Sequence, residues 1–224
     1  MVDVVQALYA DVVYIARNMR DLDAEEIFPL TWTGKPEDLA MGICASGGIS
    51  NVALCSGRPV AAWGAHMTRP KMWSVWMFST NQWPTVALTV TRNIKKVMMP
   101  SMIDSGAVRA DCWSMEGHHV AHRWLEILGA TVECSAEDYG ATRKKFFCYS
   151  WTRSRLERDG DFDYVRRTVS PKNAKAAAPS APAPCSDAAP NQGRSTGKRG
   201  SYSKTQTGVS GKGSKLDYSV GAIG

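Results

Sequence analysis

The chain has 224 residues, with 27 Lys/Arg against 21 Asp/Glu and a formal net charge of +6. Residues 1–153 carry 15 charges of each sign, so the whole excess lies in residues 154–224, with 12 Lys/Arg and 6 Asp/Glu. No apolar run reaches the roughly 18 residues that a membrane-spanning helix needs, and no Cys-x-x-Cys pair suggests a zinc ribbon or a thioredoxin-type dithiol.

In chain order, a strand over residues 3–8 is compatible with the pattern. Residues 9–27 predict an amphipathic helix, with Val12, Ile15, Ala16 and Met19 recurring at helical spacing. A second, shorter helix runs over 35–44, with Pro36 near its start. Residues 51–55 and 60–67, joined by Ser56-Gly57-Arg58-Pro59, predict a hairpin, and 72–78 a further strand. Residues 85–103 predict a long helix interrupted near Pro100, and 107–113 a strand. A helix over 117–128 ends at Gly129 as its cap, with Trp124 on the face turned to the sheet. Strands over 130–134 and 145–151 close the set. Two helices, three strands, helix, strand, helix and two strands make an α/β arrangement with a mixed sheet.

All eight tryptophans lie between Trp32 and Trp151, which places the core-forming domain at 1–153. Residues 154–173 read as a charged connector and 174–190 as an Ala/Pro linker. Residues 191–224 form a basic Gly/Ser/Lys arm, too poor in bulky apolar side chains to fold alone. Within it, Leu216, Tyr218, Val220 and Ile223 suit an extended peptide that adds to a partner's sheet or groove. Lys198, Arg199, Lys204, Lys212 and Lys215 supply charge for a partner surface or for salt-sensitive contact with a DNA backbone. The six cysteines, Cys44, Cys55, Cys112, Cys134, Cys148 and Cys185, show no leader sequence ahead of them and are expected to be free thiols.

The segment from Trp113 to Ala130, reading Trp113-Ser-Met-Glu-Gly-His118-His119-Val-Ala121-His122-Arg123-Trp124-Leu125-Glu-Ile-Leu128-Gly129-Ala130, resembles the late strand–helix–strand of the GNAT acetyltransferases. Their helix reads Ala-x-x-x-Tyr/Trp-x-x-x-Gly-Phe. Ala121, Trp124–Leu125, Leu128 and Gly129 align with it, and Ala130 stands where the Phe is usual. Two further pieces are the stretch 11–27, with Arg-Asn-Met-Arg and Asp-x-x-Glu, and Trp76-Met-Phe-Ser-Thr80. With these the chain is similar, over about residues 5–152, to the GNAT-like internal virion proteins of short-tailed bacteriophages.

That resemblance implies a GNAT-like mixed sheet flanked by helices, followed by an extended low-complexity C-terminal arm. It implies a virion component at or near the head–tail junction, made in the bacterial host cytoplasm. Its partners would be portal, adaptor, nozzle or fibre proteins in symmetric copies, with the arm as the dock. An acetyltransferase also needs a glycine-rich turn after the central strand to cradle a pyrophosphate. No glycine lies between Gly64 and Gly106, and Pro84 in the Trp83-Pro84 pair has no N–H to offer. The expectation is therefore a non-catalytic protein without cofactor or metal.

The alternative is an acetyl-CoA-dependent N-acetyltransferase. It needs a base for the amine's proton and an acid for the leaving thiolate. Glu116, His118 and His119 are the candidates near the sheet's centre, with Tyr139 as a donor. His118 and His122, at i and i+4, have the spacing of a metal pair, and Glu126 extends that face. A solvated helix face is the simpler reading of His122 and Glu126. The same holds for Arg92, Lys95 and Lys96, which otherwise suit phosphate or nucleic acid.

Overall fold

In the computed structural model, which describes residues 1–158, Ser56 and Gly57 both have positive φ, 50° and 77°. This two-residue turn matches the twist of the strands it joins. It links β2 (Ile49–Cys55) to β3 (Arg58–Arg69), and a second tight turn leads into β4 (Met72–Ser79). The compatible early strand forms as β1 (Val2–Gln6) and pairs with β2. The other half of the sheet is β5 (Arg109–Met115), β6 (Thr131–Tyr139) and β7 (Lys144–Thr152), with β7 in the middle. The order is β1-β2-β3-β4-β5-β7-β6; only the β4–β5 contact is parallel. This is the expected mixed α/β sheet.

The helix expected over 9–27 is broken in two. The pieces are α1 (Tyr9–Arg17) and α2 (Asp21–Ile27). Between them Met19 makes an isolated antiparallel bridge with Thr80, and the Arg20 N–H donates to the Ser79 carbonyl at 2.9 Å. Pairing with the end of β4 outweighs the local preference for one continuous helix. With α3 (Pro36–Ala45), these helices cover one sheet face around Val12, Ile15, Leu39, Val52, Ala62 and Phe78. The end of α2 and the residues just past it are tied to the β6–β7 turn, where the Ala141 N–H donates to the Pro29 carbonyl at 3.0 Å and Lys144 pairs with Glu25.

The opposite face carries the segment from Trp83 to Asp104 and then α6 (His119–Ile127). Here the long helix is α4 (Ala87–Asn93), a widened turn over Ile94–Met98, and α5 (Met99–Asp104). Pro100 cannot donate to the Lys96 carbonyl and its ring crowds that turn, so the helix widens just before it instead of ending. After α6, Gly129 takes φ 88°. The Gly129 N–H donates to Glu126 and the Ala130 N–H to Leu125, which satisfies the last carbonyls of the helix.

Leu125 and Leu128 are buried in the core on this face, and Trp124 packs against it only partly buried. Trp124 is half-buried against α4, donating from Nε1 to Thr91 Oγ1 at 2.9 Å, with its ring edge-on to Trp83 at 5.3 Å. Cys55, Cys112, Cys134 and Cys148 are free thiols. No helix among the described residues is long and apolar enough to cross a membrane. The chain leaves β7 through α7 (Arg153–Arg158), and the linker, the arm and Cys185 lie outside the described residues.

Gly64 sits in β3 opposite Trp76, and a Cβ there would run into the Ile49 carbonyl oxygen and the Trp76 indole. Gly64→Ala is therefore expected to destabilise the domain by about 3 kcal/mol, the upper end of overpacking costs. Thermal unfolding should record a fall in Tm of about 10 °C. An unchanged Tm would mean that β2 and β4 are not packed on β3 as described.

Candidate functional site

The two halves of the sheet share only three residue pairs: Met72 with Arg109, Trp73 with Ala110, and Ser74 with Asp111. Beyond these, β4 is held by β3 alone through Ser79, and β5 by β7 alone through Met115. The strands diverge toward their carboxyl ends, the place where open α/β sheets form crevices.

Helix α2 lies across this divergence. Asp23 and Glu26 are three residues apart and share a face. Asp23 Oδ2 accepts from the Ser79 N–H at 2.9 Å and from its hydroxyl at 3.4 Å. Arg20 holds the same carboxylate with both arms, at 3.0 and 2.7 Å. Glu26 Oε2 accepts from the Ser114 hydroxyl at 2.9 Å and the Met115 N–H at 2.7 Å. One turn of helix thus joins the end of β4 to the end of β5.

His118 completes the cluster from the start of α6. Its Nδ1 accepts the Ala121 N–H at 3.1 Å, so Nε2 carries the proton and donates to Asp23 Oδ1 at 2.9 Å. Asp23, Ser79, Ser114 and His118 are all buried. Burial alone would lower the His118 pKa, but the bond to Asp23 and the charges of Glu26 and Asp23 outweigh it and the value is raised. Burial pushes Asp23 up, and its bonds to His118, Arg20 and Ser79 bring it below the usual carboxylate value. Burial dominates at Glu26 and raises it, against the pull of Met115, His118 and Ser114. Glu26 is only half-buried, and its Oε1 makes no hydrogen bond among the described residues. That oxygen gives Glu26 an open place to take up a proton.

Of the residues singled out from sequence, His118 is in the cluster, whereas Glu116 and His119 are exposed. Tyr139 stacks on Trp113 at 4.8 Å and lies tilted against Phe146 at 4.9 Å, and burial raises its phenol. His122 Nε2 donates to the Met115 carbonyl at 3.0 Å and its ring leans on Tyr149, so His118 and His122 do not converge on one ion. With His119, Arg123, Glu126 and Ile127 it lines an open depression beside α6. Arg92 and Lys96 are exposed and Lys95 is half-buried. The partner-binding set Lys198, Arg199, Lys204, Lys212, Lys215, Leu216, Tyr218, Val220 and Ile223 lies outside the described residues. Sequence reading missed Glu26 and Asp23 as chemistry, although the Asp-x-x-Glu spacing that places both on one face was in view.

No family model matches the chain, and no curated protein matches it in sequence. Solved structures do match. An N-acetyltransferase from Staphylococcus aureus aligns with a TM-score of 0.55 at 9% identity, over 68% of this chain and 98% of that one. A ribosomal-protein-alanine N-acetyltransferase of Escherichia coli aligns at 0.50 and 10%, over 68% and 94%. At such identity the likeness shows the fold, which is that of the GNAT acetyltransferases. The expectation of a non-catalytic virion protein that is not an enzyme is corrected here: the structural neighbours carry the names of acetyltransferases and favour the alternative.

The turn that would meet the pyrophosphate of coenzyme A is closed. The N–H groups of Thr80, Trp83, Thr85 and Val86 donate to Val60, Thr80, Gln82 and Trp83 carbonyls at 2.8–3.0 Å, and that of Gln82 to Thr80 Oγ1 at 3.2 Å. Pro84 has none, which leaves at most Asn81. Trp83 is buried beneath the turn, and the Arg20 guanidinium over its ring is already paired with Asp23. These residues do not fit a pyrophosphate cradle.

The cluster sets a pH dependence. His118 and Glu26 hold their protons more tightly in the folded chain. Their contributions are complete below ordinary values of 6.5 and 4.5 and are lost as pH rises through the folded values. Asp23 acts in the opposite sense, contributing fully above 3.8 and losing this as pH falls. Denaturant unfolding should therefore give lower stability at pH 8 than at pH 5.5. His118→Asn keeps the α6 cap but removes the bond to Asp23, and should cost about 2 kcal/mol at pH 5.5 and flatten the decline. An equal decline in the variant would remove His118 from the account.

Proposed function

We propose that the domain is an N-acetyltransferase, moving an acyl group from a thioester donor to an amine at the divergent ends of β4 and β5. The observation that carries this is Glu26, a half-buried carboxylate of raised pKa fixed at that divergence in an acetyltransferase fold. The amine nitrogen bonds to the acyl carbon, the carbon–sulfur bond breaks, the amine proton passes to Glu26, and the departing thiolate takes up a proton from water. Ser114 and Met115 hold Oε2 and leave Oε1 for the proton. Asp23, Arg20 and His118 are positioning residues: they anchor α2 and set the charge around Glu26. The resemblance to phage proteins supports a phage as the source of the chain, and the proposed activity does not depend on it.

The assay is release of free thiol from an acetyl thioester in the presence of a panel of peptide amines. The full chain should accelerate release only when an amine acceptor is present. Glu26→Gln, whose single amide oxygen can still accept from Ser114 and Met115, should lower the rate by about 10²-fold or more, the usual contribution of a general base, with Tm within a few degrees. Undiminished transfer by Glu26→Gln, or no transfer by the wild type with any amine, would overturn the reading.

A further inference from the structure

The closed turn after β4 bears on the donor. We infer, resting on the acyl-transfer reading above, that the chain recognises its thioester donor by the acyl-thioester arm alone and gives no anchorage to an adenosine diphosphate portion. Three observations converge on this. Five of the seven backbone N–H positions from Thr80 to Val86 are bonded within the fold and a sixth is Pro84, so the dense array of donors that wraps a diphosphate is missing. The space beneath is filled by Trp83 and Val86, which are buried against Val90 and the edge of Trp124, so the turn cannot reopen without unpacking that core. The cation at this end, Arg20, is neutralised by a two-armed bond to Asp23 and lies over the Trp83 ring. A diphosphate placed here would find at most the Asn81 N–H in the turn to replace the water it loses.

The inner edges of the diverging strands contrast with this. From Val75 on β4 and Cys112 on β5, each strand pairs only with its outer neighbour, so the facing edges, apart from the Ser79 and Met115 N–H groups held by Asp23 and Glu26, retain backbone groups not used between the two strands. An extended arm that carries amides meets such edges on favourable terms. Affinity for the donor therefore resides between the strands and ends before the turn.

The test compares acetyl-CoA with acetyl-pantetheine, which ends before the phosphates, using the full-length protein. Thiol release with a fixed amine acceptor gives kcat/KM for each donor, and titration calorimetry gives each Kd without turnover. The two donors should agree within about threefold in both measurements, and free ADP should not compete with either. A preference for acetyl-CoA above about 100-fold, or competition by ADP at micromolar concentration, would overturn the inference while leaving the acyl-transfer reading intact. Failure of both donors to bind or react would overturn that reading and this inference with it.

Discussion

The geometry of this domain turns on one turn of helix that braces two strands. A sheet whose central strands share three residue pairs has diverging edges with backbone groups to satisfy, and the carboxylates of α2 meet that need. Asp23 takes the end of β4 and Glu26 the end of β5. Buried carboxylates are costly unless they are paired and hydrogen-bonded. Asp23 meets that condition through Arg20, His118 and Ser79, and it is held below its usual pKa. Glu26 meets it on one oxygen only and is raised. The asymmetry between two carboxylates three residues apart makes one of them a brace and leaves the other able to exchange a proton.

The brace also accounts for the break between α1 and α2. A straight helix through Asn18–Arg20 would carry Met19 away from Thr80 and turn Asp23 off Ser79. The bridge at Met19 and the Arg20 N–H bond to Ser79 set the direction of α2 and so the place of Glu26. On the far side of β4 the chain turns at once into Trp83-Pro84, whose internal bonds close the turn. Both ends of the crevice are thereby defined by interactions of the same few residues at the end of β4.

Much of the fold was legible because it is encoded locally. Ser56-Gly57 specifies its hairpin, Gly129 its helix end, and the spacing of Val12, Ile15 and Ala16 the buried face of α1. The glycine-free stretch before Gly106 drew attention to the turn from Thr80 to Val86, whose N–H groups are mostly bonded within the fold. The break at 18–20 was hidden because its cause, Thr80, is distant in the chain. Glu26 was hidden for the same reason: Ser114 and Met115 lie 88 and 89 positions away. Trp124 was assigned to the sheet from helical spacing; it packs against the core on that face only partly buried and its indole N–H finds Thr91, and a polar handle of this kind draws an aromatic toward a neighbouring helix. The inference from a closed turn to a non-catalytic protein failed because the turn speaks for one portion of a donor, not for the groups at the divergence.

The most direct test of the account is the titration of Glu26 itself, followed by carbon-13 NMR of its side-chain carboxyl in the full-length chain. The account predicts an apparent pKa above the ordinary 4.5, because burial at the end of β5 outweighs the bonds from Met115 and Ser114. A midpoint at or below 4.5 would show Glu26 to be an ordinary solvated or fully compensated carboxylate, and the proposed reaction centre would lose its base.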